Sequence, residues 1–536
     1  MKTIHTRLRQ FAPAWIGLSA LMAAGCGDDT NSKDSSPPRL TGKLHYESVE
    51  FDETLNGLDY SRIMTKPIRG ARVLLLDATN DEILAETTST STGTYSFGWS
   101  GSPKVKIWLY AETTAPSIKV VDNTAQDAQY VLESPQIAAD TPATFDLVAG
   151  LGWTGGSYGK PRQSGPFSIL DAAYTAATKI IAAGEPKPAI PKLEINWSVD
   201  NRPEDGNVNT GQIGTSYWDG AEIYILGQED VDTDEFDTHV IVHEWGHSFE
   251  DFLSRSDSQG GSHGFGDVLD PRLAFSEGFC NALSAIILEP NTVYSDSSNM
   301  KQGDGFWEDI DENDTSASIK PGWYSETTVQ NVVFDLYDGD SNGVEGFDKV
   351  ALGLPGIYSV MANDMKKTPA LTSLFPFVTA LKAKTPSAAG AIDALVTHHG
   401  NGASFGINAI ADDWGTGETH SGDEPNSIPV YVGMKIGDSK TLTLTGGLDW
   451  ALLGQNRFAR FTGNGSVVNI STTTTGGDDV DLFVYLRGGE VANSSTTSGN
   501  ESAQFVAKSG EEYVINVQGY VLDVNGPYEV ILSVTP

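Results

Sequence analysis

The feature that most constrains this chain is a helix-like stretch with two histidines four residues apart, His-Glu-Trp-Gly-His, at positions 243–247. Side chains at i and i+4 lie on one face of a helix, so His243 and His247 can bind the same metal ion. Neutral imidazole nitrogens are preferred zinc ligands, and Glu244 is placed to take a proton from the attacking water. The pattern therefore predicts a catalytic zinc site with its own general base.

A catalytic zinc with two histidines needs a third protein ligand. Leu253 occupies the position where a metzincin has its third histidine, which excludes that class. Glu277 is the better candidate because it lies in an apolar, helix-like stretch, where an ionised carboxylate is costly unless it is paired or bound to a metal. Asn281, one turn further, can orient a ligand histidine. His263, in the glycine- and serine-rich loop 256–267, is the alternative third ligand.

The motifs H-E-W-G-H and E-G-F-C-N resemble the zinc site of the gluzincins, in particular the thermolysin and fungalysin branches. The stretch Thr-Ser-Tyr-Trp-Asp-Gly at 215–220 resembles the edge strand that binds the substrate backbone in thermolysin-type enzymes. The resemblance covers about residues 190 to 340. It implies zinc ligands at His243, His247 and Glu277, a base at Glu244, and an edge strand at Thr215, Ser216 and Tyr217. The chain departs from the family at Asn281, where the family has an aspartate.

A further segment, Pro-Gly-Trp-Tyr-Ser-Glu at 321–326, opens a predicted helix. Its place in the chain resembles that of the thermolysin-type segment that carries a transition-state histidine. The phenol of Tyr324 is then a candidate donor to the developing oxyanion. Packing of Tyr324 against Trp323 is the alternative role.

The first 25 residues have a basic opening followed by a short apolar stretch, which predicts a signal peptide. Small residues before Cys26 resemble a bacterial lipobox and imply a lipid anchor at Cys26, followed by a polar tether over 26–39. Ordinary secretory cleavage is the alternative. We therefore expect an exported protein, either a cell-envelope lipoprotein of the outer membrane or a secreted one.

Two regions of short, regularly spaced strands predict β-sandwiches, at 40–150 and 426–536. The first resembles carboxypeptidase-regulatory-like modules. The second, with D-V-D-L-F-V-Y at 479–485, resembles the bacterial pre-peptidase C-terminal domain, a module that accompanies exported proteases. Between them, strands at 192–199, 213–218 and 222–226 precede the zinc helix, and helices at 325–337, 370–384 and 388–398 follow. The predicted fold is an α+β zincin-like catalytic domain, 151–425, flanked by two β-sandwich domains.

The chain is strongly acidic, with a formal net charge of −37, which argues against a nucleic-acid partner. An acidic run at 230–237 suits the positive end of the zinc helix. Asp338, Asp340 and Asn342 match the first half of an EF-hand loop, but Lys349 stands where the bidentate glutamate would be. A shorter calcium loop and a solvated acidic turn both remain open.

Taken together, these patterns predict an exported, zinc-dependent endopeptidase that acts on protein or peptide substrates. The alternative is a cell-envelope adhesin or binding protein with a structural or degenerate zinc site. A structural zinc is usually closed by four protein ligands, whereas a catalytic zinc keeps one position open. The number of protein ligands therefore distinguishes the two predictions.

Overall fold

The structure is a computed structural model that describes residues 40–99, 104–138, 143–184, 186–311, 320–339, 346–400, 407–420, 428–445, 450–474, 479–520 and 527–536. The predicted signal peptide, Cys26 and the tether lie outside these residues, as do Asp340 and Asn342 of the predicted calcium loop. Within the described residues, none of the helices has the length and apolar character needed to span a membrane.

The N-terminal region is built from short strands whose alternate residues face the core. In the first strand, every second residue from Leu40 to Ser48 is buried, while the residues between them are more exposed. The strands are Leu40–Ser48, Phe51–Asp52, Gly57–Leu58, Met64–Pro67, Ala71–Asp77, Ile83–Thr88, Thr94–Phe97, Lys104–Thr114, Ser117–Asp122, Ala128–Gln129, Val131–Glu133, Ile137–Ala138, Ala143–Thr144 and Leu147–Ala149. They form one five-stranded sheet around Leu40–Ser48 and part of a larger sheet.

The larger sheet continues across the predicted domain boundary at residue 150. Its strand Leu193–Trp197 lies parallel to Ser117–Asp122, with Ile195 opposite Val120. Strand pairing therefore crosses the domain boundary predicted at residue 150. The reason is physical: alternating burial predicts which faces of a strand are covered, but it does not predict which strand pairs along its edge.

The sheet ends, beyond Leu193–Trp197, at Ile223–Ile225 and then Tyr217–Trp218. A separate four-stranded sheet packs near the helix that carries His243 and His247. It consists of Gly227–Gln228, Asp232–Thr233, Val293–Ser298 and Asp304–Asp309. A short pair, Thr419–His420 and Ile428–Pro429, precedes the C-terminal region.

Seven α-helices fill the middle of the chain: α1 (Gly165–Ala183), α2 (Thr238–Leu253), α3 (Pro271–Leu288), α4 (Glu326–Asp338), α5 (Gly353–Val360), α6 (Leu374–Lys384) and α7 (Ala389–His399), as far as the described residues show. A π-helical segment, Met361–Met365, continues α5. Helix α3 is buried from Pro271 to Ile287 and packs between α2 and α4.

Two glycines allow α2, α3 and α4 to pack closely. A Cβ atom on Gly246 of α2 would lie 2.9 Å from the Cys280 sulfur of α3. A Cβ atom on Gly278 of α3 would lie 2.4 Å from the Glu326 carbonyl oxygen of α4. Both separations are shorter than van der Waals contact. These glycines, which lie within the H-E-W-G-H and E-G-F-C-N motifs, thus set how near the three helices approach.

The C-terminal region is a β-sandwich, as its strand spacing predicts. One sheet orders Tyr431–Gly433, Asn456–Thr462, Glu512–Gly519, Val480–Leu486 and Gly489–Ser494; the other orders Ser439–Thr445, Pro527–Thr535, Val467–Thr474 and Ser502–Val506. The two sheets enclose a core of their own that includes Leu482, Ile515 and Leu532. The sandwich contacts the start of α3, where the Asp270 N–H donates to the Ala451 carbonyl over 2.7 Å.

Candidate active site

Three ligand-type side chains from α2 and α3 converge on one point. The Nε2 atoms of His243 and His247 lie 3.1 Å apart. One carboxylate oxygen of Glu277 lies 3.1 Å from His243 Nε2 and 3.4 Å from His247 Nε2. The structure therefore brings together the two motifs that the sequence places thirty residues apart.

The spacing of these three atoms fits a zinc ion. Two ligand atoms at about 2.1 Å from a tetrahedral zinc are separated by about 3.4 Å, close to what the triangle shows. The donor set, two imidazole nitrogens and one carboxylate oxygen, is also one that zinc accepts in catalytic sites. The three residues could hold Zn²⁺ without rearrangement of their backbone.

Asn281 orients the His243 ring through Nδ1, the ring nitrogen that does not contact Glu277. Its Nδ1 lies 2.7 Å from Asn281 Oδ1, which can only accept a hydrogen bond. The proton of the neutral ring is thereby held on Nδ1, and the lone pair remains on Nε2, facing Glu277. Asn281 thus lies where the sequence predicts an orienting partner.

The outer nitrogen of His247 has a set of partners that the sequence analysis missed. His247 Nδ1 lies 3.2 Å from the Ser276 hydroxyl and 3.4 Å from the Cys280 sulfur. Ser276 in turn donates to the buried carboxylate of Glu250 over 2.5 Å. The sequence offers one signal for these partners, which is their spacing. Glu250 lies about one helical turn after His247, and Ser276 immediately precedes Glu277.

Glu244 faces the same cleft as the two histidines but binds neither. Burial raises the pKa of its carboxyl, although the two histidines partly offset this. The cleft has a volume of about 1030 Å³. A buried carboxylate with a raised pKa, beside a metal-binding triangle and open to a cleft, is suited to accept and return a proton.

The predicted edge strand lies at the wall of this cleft but is shorter than predicted, because Thr215 and Ser216 form a bend and only Tyr217 of the three residues is in the strand. Tyr217–Trp218 pairs with Ile223–Ile225 and, among the described residues, has no strand on its other side. Thr215, Ser216 and Tyr217 line the cleft together with the metal-binding residues. The free edge is therefore available to an extended chain.

His263, the alternative third ligand predicted from the sequence, reaches the site from its loop. Its Nε2 lies 3.4 Å from Glu277 Oε2 and 3.7 Å from a carboxylate oxygen of Glu326 at the start of α4. Contacts with the C-terminal sandwich hold the loop, since Gln518 donates to Gln259 over 3.0 Å. Glu326 was also missed, although the close approach of α4 to Gly278 brings it there.

Tyr324 is not brought to the metal-binding residues. It is absent from the side chains that line the cleft, and its hydroxyl lies 3.5 Å from the Pro321 carbonyl. Its ring packs edge-on against Trp323, with centroids 5.2 Å apart. This arrangement matches the packing role rather than the oxyanion role.

Comparison with known proteins gives similarity over a fifth of the chain. No family model and no curated protein matches it. The pre-peptidase C-terminal domain of a Bacillus anthracis collagenase is 20% identical and covers 20% of this chain and 99% of its own, with a TM-score of 0.17. CorA, a surface-associated copper-binding protein of Methylomicrobium album BG8, is 11% identical over 20% of this chain and 98% of its own, with a TM-score of 0.16. PliG, a periplasmic inhibitor of g-type lysozyme from Aeromonas hydrophila, is 10% identical over 19% of this chain and 96% of its own, with a TM-score of 0.14.

Proposed function

We propose that the protein is an exported, zinc-dependent endopeptidase of the gluzincin type. The observation that carries this proposal is the convergence of His243, His247 and Glu277 beside the carboxylate of Glu244 at the wall of a cleft. Each residue has the role that the resemblance to thermolysin-type enzymes implies for it. A bound Zn²⁺ would polarise the scissile carbonyl and make water a better nucleophile.

The protein's own groups would carry the proton transfers. Glu244 would remove a proton from the attacking water and return it to the leaving amine. Burial helps here, because a base with a pKa nearer to neutral both accepts and releases a proton readily.

The free edge of Tyr217–Trp218 suggests how substrate binds. A strand edge recognises an extended backbone through main-chain hydrogen bonds and requires no free terminus. That mode suits cleavage within a chain. Because Glu244 and the edge strand line the same cleft, a peptide paired with this edge would lie beside the base.

His263 is a better candidate than Tyr324 for the group that stabilises the oxyanion. Its ring lines the cleft beside Glu277 and remains partly exposed, and its Nδ1–H donates to the Gly261 carbonyl, so Nε2–H of the protonated ring can reach a substrate oxygen. A preorganised donor of this kind acts strongly where water is excluded. Tyr324 lies away from the cleft lining and would act only through packing.

The flanking regions support export. The C-terminal sandwich carries the D-x-D-L-F-V-Y strand that resembles pre-peptidase C-terminal domains, and the N-terminal 26 residues resemble a lipoprotein signal. We therefore extend the proposal to a protein anchored in the bacterial cell envelope by lipid on Cys26, or secreted.

One observation favours the second candidate, an envelope adhesin or binding protein with a structural zinc. If His263 joined His243, His247 and Glu277 as a ligand, four protein groups would close the site. The 3.4 Å separation between His263 and Glu277 makes this arrangement accessible.

Metal analysis and a digestion assay test the proposal. The purified protein should contain one zinc, which can be measured by mass spectrometry, and should cleave casein or gelatin. Removal of zinc should abolish cleavage, and restoration should recover it. A protein that holds zinc tightly but cleaves no substrate would support the binding protein instead.

A further inference from the structure

Three aspartates form a second cluster in the wall of the same cleft. Asp232, Asp234 and Asp296 each offer a carboxylate oxygen, and these oxygens lie within 4.8 Å of one another. All three line the cleft that contains the zinc-type site. None belongs to the metal-binding triangle, and the proposed peptidase chemistry assigns them no role.

A fourth carboxylate, Asp237, lies beside this cluster and is fully buried, with 1% of its surface exposed. One of its oxygens accepts hydrogen bonds from the N–H and hydroxyl of Ser297, and the other has no hydrogen-bond partner. Asp237 occupies the N-cap position of α2 but makes no capping hydrogen bond. The carboxylate that would ordinarily serve the helix instead binds Ser297, the residue that follows Asp296 of the cluster.

The remaining oxygens are also left without partners. Asp234 is 3% exposed; one of its oxygens accepts a hydrogen bond from Ser216, and the other has no partner. One oxygen each of Asp232 and Asp296 is likewise buried and unpaired. Within the described residues, no lysine, arginine or histidine forms an ion pair with any of the four. Buried carboxylate oxygens without a donor are costly, which indicates that a cation completes this site.

Charge repulsion supports the same conclusion. Burial raises the pKa of all four carboxyls, that of Asp232 to about 7. Repulsion between the carboxylates adds to the rise at Asp232, Asp234 and Asp237. A cation bound among them would replace this repulsion with attraction.

We propose that Asp232, Asp234 and Asp296 form a calcium site next to the substrate cleft, with the buried carboxylate of Asp237 beside them. The donor atoms are all carboxylate oxygens, which favours a hard cation over zinc. Oxygens that bind one calcium at 2.3–2.6 Å are separated by at most about 5 Å, a limit that the oxygens of Asp232, Asp234 and Asp296 satisfy. Ser216 joins the site to the edge strand through its hydrogen bonds to Asp234 and the Leu226 N–H, so bound calcium would hold the strand that faces the substrate.

The test is thermal unfolding of the full chain with calcium alone as the probe. The protein, freed of calcium, is titrated with CaCl2, and NaCl at matched ionic strength serves as the salt control. At a concentration about 100 times the dissociation constant, calcium should raise the unfolding temperature by about 2–5 °C. Elemental analysis of the protein after CaCl2 treatment and desalting should find one bound calcium.

Two variants and a matched control locate the effect. Asp234→Asn and Asp232→Asn should each lose most of the calcium-dependent shift, and without calcium they should unfold at or above the wild-type temperature, because repulsion is relieved. Asp230→Asn removes the same charge from an exposed turn outside the cluster and should keep the full shift. Asp232, which is only partly buried, covers the case in which Asp234→Asn fails to fold.

Three outcomes would overturn the proposal: no response of the wild type to calcium, an equal response in the Asp232 and Asp234 variants, or stabilisation by a lysine- or arginine-containing peptide in place of calcium. The last result would instead make the cluster a pocket for a basic side chain. Zinc content is measured on the same samples. Since it should not change, failure of the calcium site and failure of the proposed peptidase are distinguishable.

Discussion

Asn281 Oδ1, on α3, accepts a hydrogen bond over 2.7 Å from His243 Nδ1, on α2. This contact joins α2 to α3 and fixes which nitrogen of the ring faces Glu277. The gluzincins that the motifs resemble have an aspartate at this position. In this chain a neutral amide orients the ligand, so the geometry is kept without the added negative charge.

Replacement of Asn281 should therefore weaken metal binding without removing it. We expect Asn281→Ala to raise the zinc dissociation constant about 10–100-fold, because the ring loses the partner that fixes its tautomer. Asn281→Asp keeps an acceptor at the same place and should bind zinc at least as tightly as the wild type. Competition with a chromophoric chelator measures both, and equal affinity in all three proteins would contradict the orienting role.

Glu244→Gln should separate metal binding from catalysis. The change keeps the size of the side chain and removes the base, so the protein should fold and retain zinc. Peptide hydrolysis should fall by at least about 10²-fold, the lower range for loss of a general base. A fluorogenic peptide assay at equal zinc content measures the loss. Turnover near that of the wild type would exclude Glu244 as the base.

The sequence was sufficient to predict the elements that carry the candidate site. Hydrophobic periodicity predicts both α2, which carries His243 and His247, and the buried helix α3, which carries Glu277, because their apolar residues repeat at helical spacing. It also placed α7 within one residue, predicted over 388–398 and observed over Ala389–His399. These helices can be predicted from local sequence because each buries one face, and the residues of that face recur at helical spacing.

What the sequence could not predict depends on contacts between distant segments. His263 reaches Glu277 because the C-terminal sandwich holds its loop through Gln518 and through pairing of Leu269 with Leu452. The position of the acidic run before α2 predicts an interaction with the helix dipole. In the structure, however, the carboxylate of Asp237 accepts a hydrogen bond from the Ser297 hydroxyl. Neither arrangement leaves a periodic signal, because the partners lie 60 or more residues away.

Cys26→Ser tests the membrane anchor independently of the site. Cys26 and the tether precede the described residues, and no function at the cleft is assigned to them. If Cys26 carries lipid, the variant should move from the membrane to the soluble fraction with unchanged specific activity. Detergent phase partitioning followed by a peptidase assay on both fractions measures this. Unchanged partitioning would leave only a signal peptide.

The two candidate third ligands, Glu277 and His263, can be separated by matched alanine variants. Glu277 lies on the buried helix α3 and has one oxygen within 3.4 Å of the Nε2 atoms of both His243 and His247. His263 lies on a loop, and its Nε2 approaches Glu277 rather than either histidine.

Glu277→Ala should therefore purify with little zinc and little activity, because it removes both a metal bond and the charge that neutralises the ion. His263→Ala should keep its zinc while kcat falls by about 10²-fold, the loss expected for one oxyanion donor. Zinc content and kcat are measured on the same preparations, with thermal unfolding as the control for folding. If zinc is lost from the His263 variant and kept in the Glu277 variant, the metal lies on the 256–267 loop and the gluzincin assignment fails. If both variants lose zinc, four protein ligands close the site, and the binding protein becomes the better proposal.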